Sequence, residues 1–296
     1  MEQQTSGKGI LCMVCCALCW SLGGVLIKLI PWNGFAIAGV RSLITGMVIA
    51  TYMRITHIPL CFNRRTIAVA ITDVGTYCAF IISTKMTTAA NAIVIQYTAP
   101  VFVLLYHALF GRQKFRALDW ITVFVSFGGV AVCFLDQIGG GSSVGNLIAL
   151  IAGLFFAGTF ITTGCGSESE RLSGMMQGQG LAALVGIPFF FATGARLSPL
   201  SVGCILLLGI FQLGLASILY STALKSCSTV ACSLIAVLEP LLNPVWVLLV
   251  THERPGIAAI FGGLVTVAMV TVWVIVNDWR KRAEGIPLKT QNGGGI

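Results

Sequence analysis

Arg41, Asp73 and Glu239 each stand inside a long run of uncharged, mostly apolar residues. A charge at membrane depth costs about 2.5 to 3.5 kcal/mol on insertion scales, so each of the three is a candidate for function. A carboxylate kept partly out of water can exchange a proton near neutral pH, as a proton-coupled carrier requires. An arginine can grip a substrate carboxylate through two parallel hydrogen bonds. The structural alternative is an internal ion pair, Arg41 neutralising Asp73 or Glu239 to fix helix packing. Glu239 has a further mark in its favour. Pro240 follows it and Pro244 comes four residues later, and each proline removes an N–H and so frees a carbonyl one turn earlier. A helix disrupted at midplane depth commonly borders a cavity.

Pro100 predicts an equivalent kink, with Gln96, Tyr97 and Thr98 just before it. Gln177, Gln179, Gln212 and Asn243 add donors and acceptors inside other apolar runs. Together they suggest a polar lumen, although any single amide could serve only an interhelical hydrogen bond worth about 0.6 to 2 kcal/mol. Trp20, Tyr77 and Phe156 fall near the middle of their runs, whereas membrane Trp and Tyr usually sit at interfaces. They are candidates to line the cavity, with core packing as the competing explanation. Trp32, Trp120 and Trp279 are expected as interface anchors. Cys12, Cys15, Cys16 and Cys19 share one helical face, but thiolates without His or acid partners would be costly to bury. No metal or other cofactor is expected.

The elements that carry these residues are apolar spans. The 296-residue chain is 56% hydrophobic and 9% charged, with a mean hydropathy of +0.92, against roughly a quarter charged residues in a soluble domain. Water is therefore not its main solvent. The net charge of +8 comes from short basic clusters between apolar runs, which does not point to nucleic acid. The eleven cysteines lie mostly inside those runs, unlike a secreted disulfide framework. About 20 apolar residues cross the hydrocarbon, and ten segments qualify: Gly9–Ile30, Gly34–Met53, Thr66–Thr84, Ala89–Phe110, Asp119–Leu135, Gly145–Gly164, Met175–Thr193, Leu200–Thr222, Thr229–Val250 and Gly256–Asn277. The first is too long for the apolar core of a cleaved signal peptide, so it is read as a retained span.

Cytoplasmic loops accumulate Lys and Arg. With the N-terminus inside, that side holds Lys8, Arg54, Arg64, Arg65, Arg112, Lys114, Arg116, Arg171, Lys225, Arg280, Lys281, Arg282 and Lys289, against Lys28, Lys85, Arg196 and Arg254 outside. Both termini are expected in the cytoplasm, and the protein in the cell membrane.

The second half of the chain echoes the first. Shifted by 140 positions, Lys85 meets Lys225, Ile95 meets Ile235, Pro100 meets Pro240, Tyr106 meets Trp246 and Lys114 meets Arg254; at a shift of 136, Trp20 meets Phe156. Five spans per repeat is an odd number, so the halves cross the membrane in opposite senses. Such inverted repeats recur in secondary transporters, where two related halves meet at a midplane site. The expected organisation is a first repeat over 1–140, a second over 141–279, and a disordered basic cytoplasmic tail over 280–296.

Several stretches resemble a known family. They are Cys19-Trp20-Ser21-Leu22-Gly23-Gly24, Arg41, Ala223-Leu224-Lys225, Leu238-Glu239-Pro240-Leu241-Leu242-Asn243-Pro244-Val245-Trp246, His252-Glu253-Arg254-Pro255 and Gly262-Gly263. The pattern is similar to that of the EamA-type ten-helix transporters of the drug/metabolite transporter superfamily, over nearly the whole chain. The resemblance implies an all-α membrane bundle, a 5+5 inverted repeat around a central cavity, moving amino acids, other metabolites or drugs by alternating access. Efflux of amino acids is the leading expectation on family prevalence, with import and cationic drug efflux as rivals. The chain departs from the pattern at Gln113, where the loop motif usually has an acid, and Ala99 stands where the second half has Glu239.

A membrane-embedded enzyme acting on a lipid-linked substrate would need clustered His, Asp or Glu, and His57, His107 and His252 are scattered. Nothing suggests a P-loop, so transport would draw on an existing gradient. The expected partners are a small-molecule solute, the bilayer and a proton as candidate coupling ion. Two fused halves are compatible with a functional monomer.

Overall fold

The computed structural model describes residues 7–109, 116–135, 142–164, 166–227, 232, 235–236, 238–252, 254 and 256–283. Among them there is helix and no strand. In chain order the helices are α1 (Gly7–Ser21), α2 (Gly23–Leu29), α3 (Gly34–Ile55), α4 (Arg64–Met86), α5 (Ala89–Gln96), α6 (Ala99–Leu109), α7 (Ala117–Leu135), α8 (Ser143–Gly164) and α9 (Glu168–Ala192). Then follow α10 (Pro199–Leu207), a π-helical segment Leu208–Leu215, α11 (Ala216–Ser226), α12 (Leu238–Thr251) and α13 (Ile257–Ala283). Among the described residues six runs are long and apolar enough to cross a membrane: Gly7–Leu29, Gly34–Ile55, Arg64–Met86, Ser143–Gly164, Glu168–Ala192 and Pro199–Ser226. Four shorter apolar stretches, Ala89–Val103, Ala117–Gly129, Leu238–Thr251 and Ile260–Trp273, overlap the remaining expected segments.

Polar residues at the ends of the apolar runs start the helices. Asn63 and Thr66 form a reciprocal capping box on α4, and Ser167 and Glu170 form another on α9. The second box carries α9 back to Glu168, well before the Met175 expected from hydropathy, because a capped helix continues beyond its apolar run. Thr88 caps α5 through the Asn91 amide, and Ser198 with Pro199 opens α10. α13 continues through Ala283, into the segment expected as tail. Residues 284–296 and Gln113 lie outside the described residues.

Helix packing relates the two halves of the chain. α4 packs mainly on α8 and α9, α3 on α9, α1 on α11, and α7 on α13. α5 and α6 also meet α8, while α12 meets α1, α2 and α5. Glycines allow the closest crossing, where α3 and α9 touch backbone to backbone at Gly39 and Gly186. Two apolar cores result. One gathers around Val25–Trp32 of the α2 region with Ala92–Ile95, Ala149 and Ala152; the other gathers around Met13, Cys16 and Trp20 with Ile49, Leu172 and Tyr220.

Each end of the bundle is tied. At one, Lys85 and Lys28 donate to the Ile30 and Thr87 carbonyls. Trp32, expected as an interface anchor, is instead 5% exposed, its indole N–H on the Arg196 carbonyl at 2.8 Å and its ring 5.1 Å from Phe190. A short connection with a free carbonyl draws the indole inward. At the other end Lys225 pairs with Glu168 at 2.5 Å, and Asn63 donates to Glu170 at 2.9 Å.

Candidate functional site

Between the two cores lies a polar layer built from helix interruptions. α1 and α2 are separated at Leu22, and α5 and α6 at Tyr97 and Thr98, ahead of Pro100. The π-helical segment carries Gln212; such segments are frequent at functional sites. Thr45 of α3 supports it by donating to the Gly209 carbonyl at 3.0 Å.

Arg41, about a third of the way along α3, has no solvent exposure. Its Nη1 reaches Gln212 Oε1 at a long 3.4 Å, and the guanidinium lies 5.2 Å from the Tyr77 ring centroid, within cation–π range. Its Nε and Nη2 have no protein partner. Asp73, one turn before Tyr77 on α4, accepts from Gln179 Nε2 at 2.8 Å, while its Oδ1 has no protein partner. The internal ion pair that the sequence left open is therefore not made: Gln179 turns Asp73 toward α9, and Tyr77 and Gln212 hold Arg41. Glu239, in the first turn of α12, is 5% exposed and contacts the Tyr97 hydroxyl at 2.9 Å; the same hydroxyl reaches the Ala236 carbonyl at 2.6 Å.

Aromatic rings join the layers. Trp20 meets Phe156 edge-on at 6.3 Å and Tyr220 at 5.6 Å, and Phe156 meets Tyr97 at 5.9 Å. Trp20, Tyr77, Phe156, Thr159, Met175, Ser217 and Tyr220 line a narrow crevice. The mid-span aromatics thus converge. The buried Trp20 Nε1 there has no protein partner, a sizeable cost for a donor out of water.

The amides divide. Gln212 bridges Arg41 and the Trp20 carbonyl, the latter at 3.5 Å. Asn243 is fully buried with both amide atoms unpartnered, pressed against Gly24 so closely that a Cβ there would overlap it. Gln96 is buried beside the α5–α6 interruption with an unpartnered Oε1. Gln177 is not brought to the site: its amide donates to the Cys61 carbonyl at 2.7 Å and pins the α3–α4 connection. α12 runs unbroken through Pro244, whereas residue 237, just before Pro240, lies outside the described residues.

Tyr220, Thr159 and Ser217 were not picked out from the sequence. Tyr220 lies two residues from the end of its apolar run and so reads as an interface aromatic, but α11 continues to Ser226 and draws it inward. Thr159 pairs with Thr76 at 3.2 Å, and Thr163 with Tyr220 at 3.2 Å, which only tertiary packing reveals. Cys16 spends its thiol on the Ala216 carbonyl at 3.3 Å. Among the described residues no group of three or more His, Cys, Asp or Glu could hold a metal ion.

Several membrane-length apolar helices and a buried polar layer, with no strand among the described residues, define a multi-pass membrane protein. Its sequence matches the EamA-like transporter family twice, over residues 7–135 and 143–275. The chain belongs to that family and matches its model in both halves. It is 30% identical over 196 residues to an uncharacterized transporter, YxxF, of Bacillus subtilis (strain 168), covering 62% of each chain. It is 27% identical over 198 residues to an uncharacterized transporter of Archaeoglobus fulgidus, covering 62% of this chain and 66% of that one. The match thus spans less than two thirds of either relative's length. A crystal structure described only as that of a protein shares the fold, with a TM-score of 0.63 at 16% identity over 92% of this chain and 98% of that one.

Proposed function

We propose that this protein is a secondary transporter that carries small zwitterionic organic solutes, amino acids or related metabolites first among them, by alternating access. Export is the favoured direction, a proton the coupling ion and the cell membrane the location. The carrying observation is the pair of buried, mutually unpartnered charges. Arg41 keeps two nitrogens free and Asp73 one oxygen, and the Arg41 guanidinium lies over the ring of Tyr77, which walls the crevice. A solute with a carboxylate and an ammonium group satisfies both, and neither charge alone does so. A phosphorylated sugar would want several basic residues where this layer has Arg41.

Alternating access needs two halves that exchange conformations. The reading adopted is ten spans as a 5+5 inverted repeat, supported by reciprocal packing. The first span of one half lies on the third of the other, as α1 on α11 and α8 on α4; second spans pair as α3 on α9, and last spans as α7 on α13. That reciprocity supports a two-fold relation between the halves, and an axis in the membrane plane is the inverted form that recurs in secondary transporters. The crevice is too narrow for a solute here, as expected of a closed conformation.

Exchange of a labelled amino-acid mixture into preloaded proteoliposomes tests the proposal. The expected result is saturable counterflow without ATP, stimulated by a pH gradient and losing that stimulation in Glu239→Gln. Counterflow of a lipophilic quaternary ammonium with none of amino acids would move the assignment to cationic drug efflux.

A further inference from the structure

We infer that Glu239 carries its proton in this conformation, and that Tyr97 ties this proton to the interruption between α5 and α6. The inference deepens the proton-coupled part of the transport reading and rests on it for its role, though not for its chemistry.

Pro240 has no N–H to offer the carbonyl four residues earlier, which is that of Ala236. The Tyr97 hydroxyl takes up that carbonyl at 2.6 Å. A phenol has one hydrogen, and a carbonyl has none to give, so at this separation the hydrogen must lie between Tyr97 and Ala236. The same phenol oxygen is 2.9 Å from Glu239 Oε2. With the phenol hydrogen committed, an ionised carboxylate there would set two acceptors against each other. Only a protonated carboxyl, donating to Tyr97, satisfies both contacts. Giving the phenol hydrogen to Glu239 instead leaves two bare oxygens 2.6 Å apart at Ala236.

The surroundings agree. Cys16 from α1 and Tyr77 from α4 are the other titratable groups facing Glu239. α2 offers Lys28, whose ammonium is on the Thr87 carbonyl at 2.9 Å. Among the described residues no basic side chain forms an ion pair with Glu239, whereas Asp73 accepts a hydrogen bond from Gln179 Nε2.

The arrangement couples a proton to a shape. When Glu239 gives its proton to water on the open side, the carboxylate and the phenol oxygen repel unless the phenol hydrogen swings from Ala236 to Glu239. The first response pushes the α5–α6 interruption off α12; the second holds it to the first turn of α12 by a charge-assisted bond but leaves the Ala236 carbonyl without its donor, so either one rearranges the contact between these elements of opposite repeats. Tyr97 is thus a positioning residue that makes proton release and helix movement one event.

Infrared spectroscopy of the purified protein in an ester-free detergent tests this. At neutral pH the wild type should show a protonated-carboxyl carbonyl band that moves on ¹³C-glutamate labelling, is lost in Glu239→Gln and persists in Asp73→Asn. In Tyr97→Phe the band should shift to higher frequency, since the carboxyl has lost its acceptor. Absence of the band, or its survival in Glu239→Gln, overturns the inference. A band present in a protein whose counterflow ignores pH would sink the coupling reading and leave the protonation assignment standing.

Discussion

The guanidinium of Arg41 is buried with two of its nitrogens unpartnered, and Asp73, the acid nearest in sequence pattern, is bound to Gln179. A protein meets the desolvation cost of such charges only where something else repays it. This sets an unusual sign for mutation. Arg41→Gln should raise KM for labelled amino acids in counterflow by about ten- to a hundredfold, the equivalent of losing charge-assisted hydrogen bonds. Its apparent Tm in detergent should not fall, because an unmatched buried charge has been removed. A large drop in Tm with unchanged KM would make Arg41 a packing residue. Charged positions of this kind were legible from sequence because their cost inside an apolar run is high enough to demand a reason. Tyr220, Thr159 and Ser217 were not: hydroxyls cost a membrane helix little, so their type carries no alarm. Nor was the fate of Gln177, whose partner is a backbone carbonyl in a distant connection.

At the scale of elements, apolar runs announced the spans, while the interruptions came from single residues. Pro100 foretold the α5–α6 break. The π-helical segment Leu208–Leu215 had no sequence signal, since it depends on Thr45 reaching across from α3. Close crossings were not legible, since nothing in the sequence marks which of its 34 glycines meets another backbone. Gly39 shows what distinguishes them: a Cβ there would lie 2.5 Å from the Ile187 amide nitrogen, on a backbone that cannot yield like a side chain. Gly39→Ala should therefore cost about 1 to 3 kcal/mol, the usual range for overpacking, and lower the apparent Tm in detergent. Gly203, in α10, has nothing within 4 Å of such a Cβ. Gly203→Ala should leave Tm unchanged or raise it slightly, by the backbone entropy glycine loses in a helix. Equal effects of the two substitutions would mean that α3 and α9 do not cross at Gly39.

For the whole molecule, the question is whether the two repeats are inserted in opposite senses. The ends of the bundle supply the means of asking. Arg65 is exposed at the end where Lys225 meets Glu168 and Asn63 meets Glu170; Arg196 is exposed at the end where its carbonyl receives the Trp32 indole. Lys85 ties that second end through the Ile30 carbonyl, yet its repeat mate Lys225 belongs to the first. Equivalent residues at opposite ends are what inversion produces, whereas a parallel repeat would put both at one end. The excess of basic residues in its loops makes the Arg65 end the one expected in the cytoplasm. In a variant with its native cysteines replaced, Arg196→Cys should react with a membrane-impermeant maleimide added to intact cells. Arg65→Cys should react only after the membrane is opened. If both positions label from outside, or neither does before lysis, the two ends share one face, and a passage formed between inverted halves has no geometry to stand on.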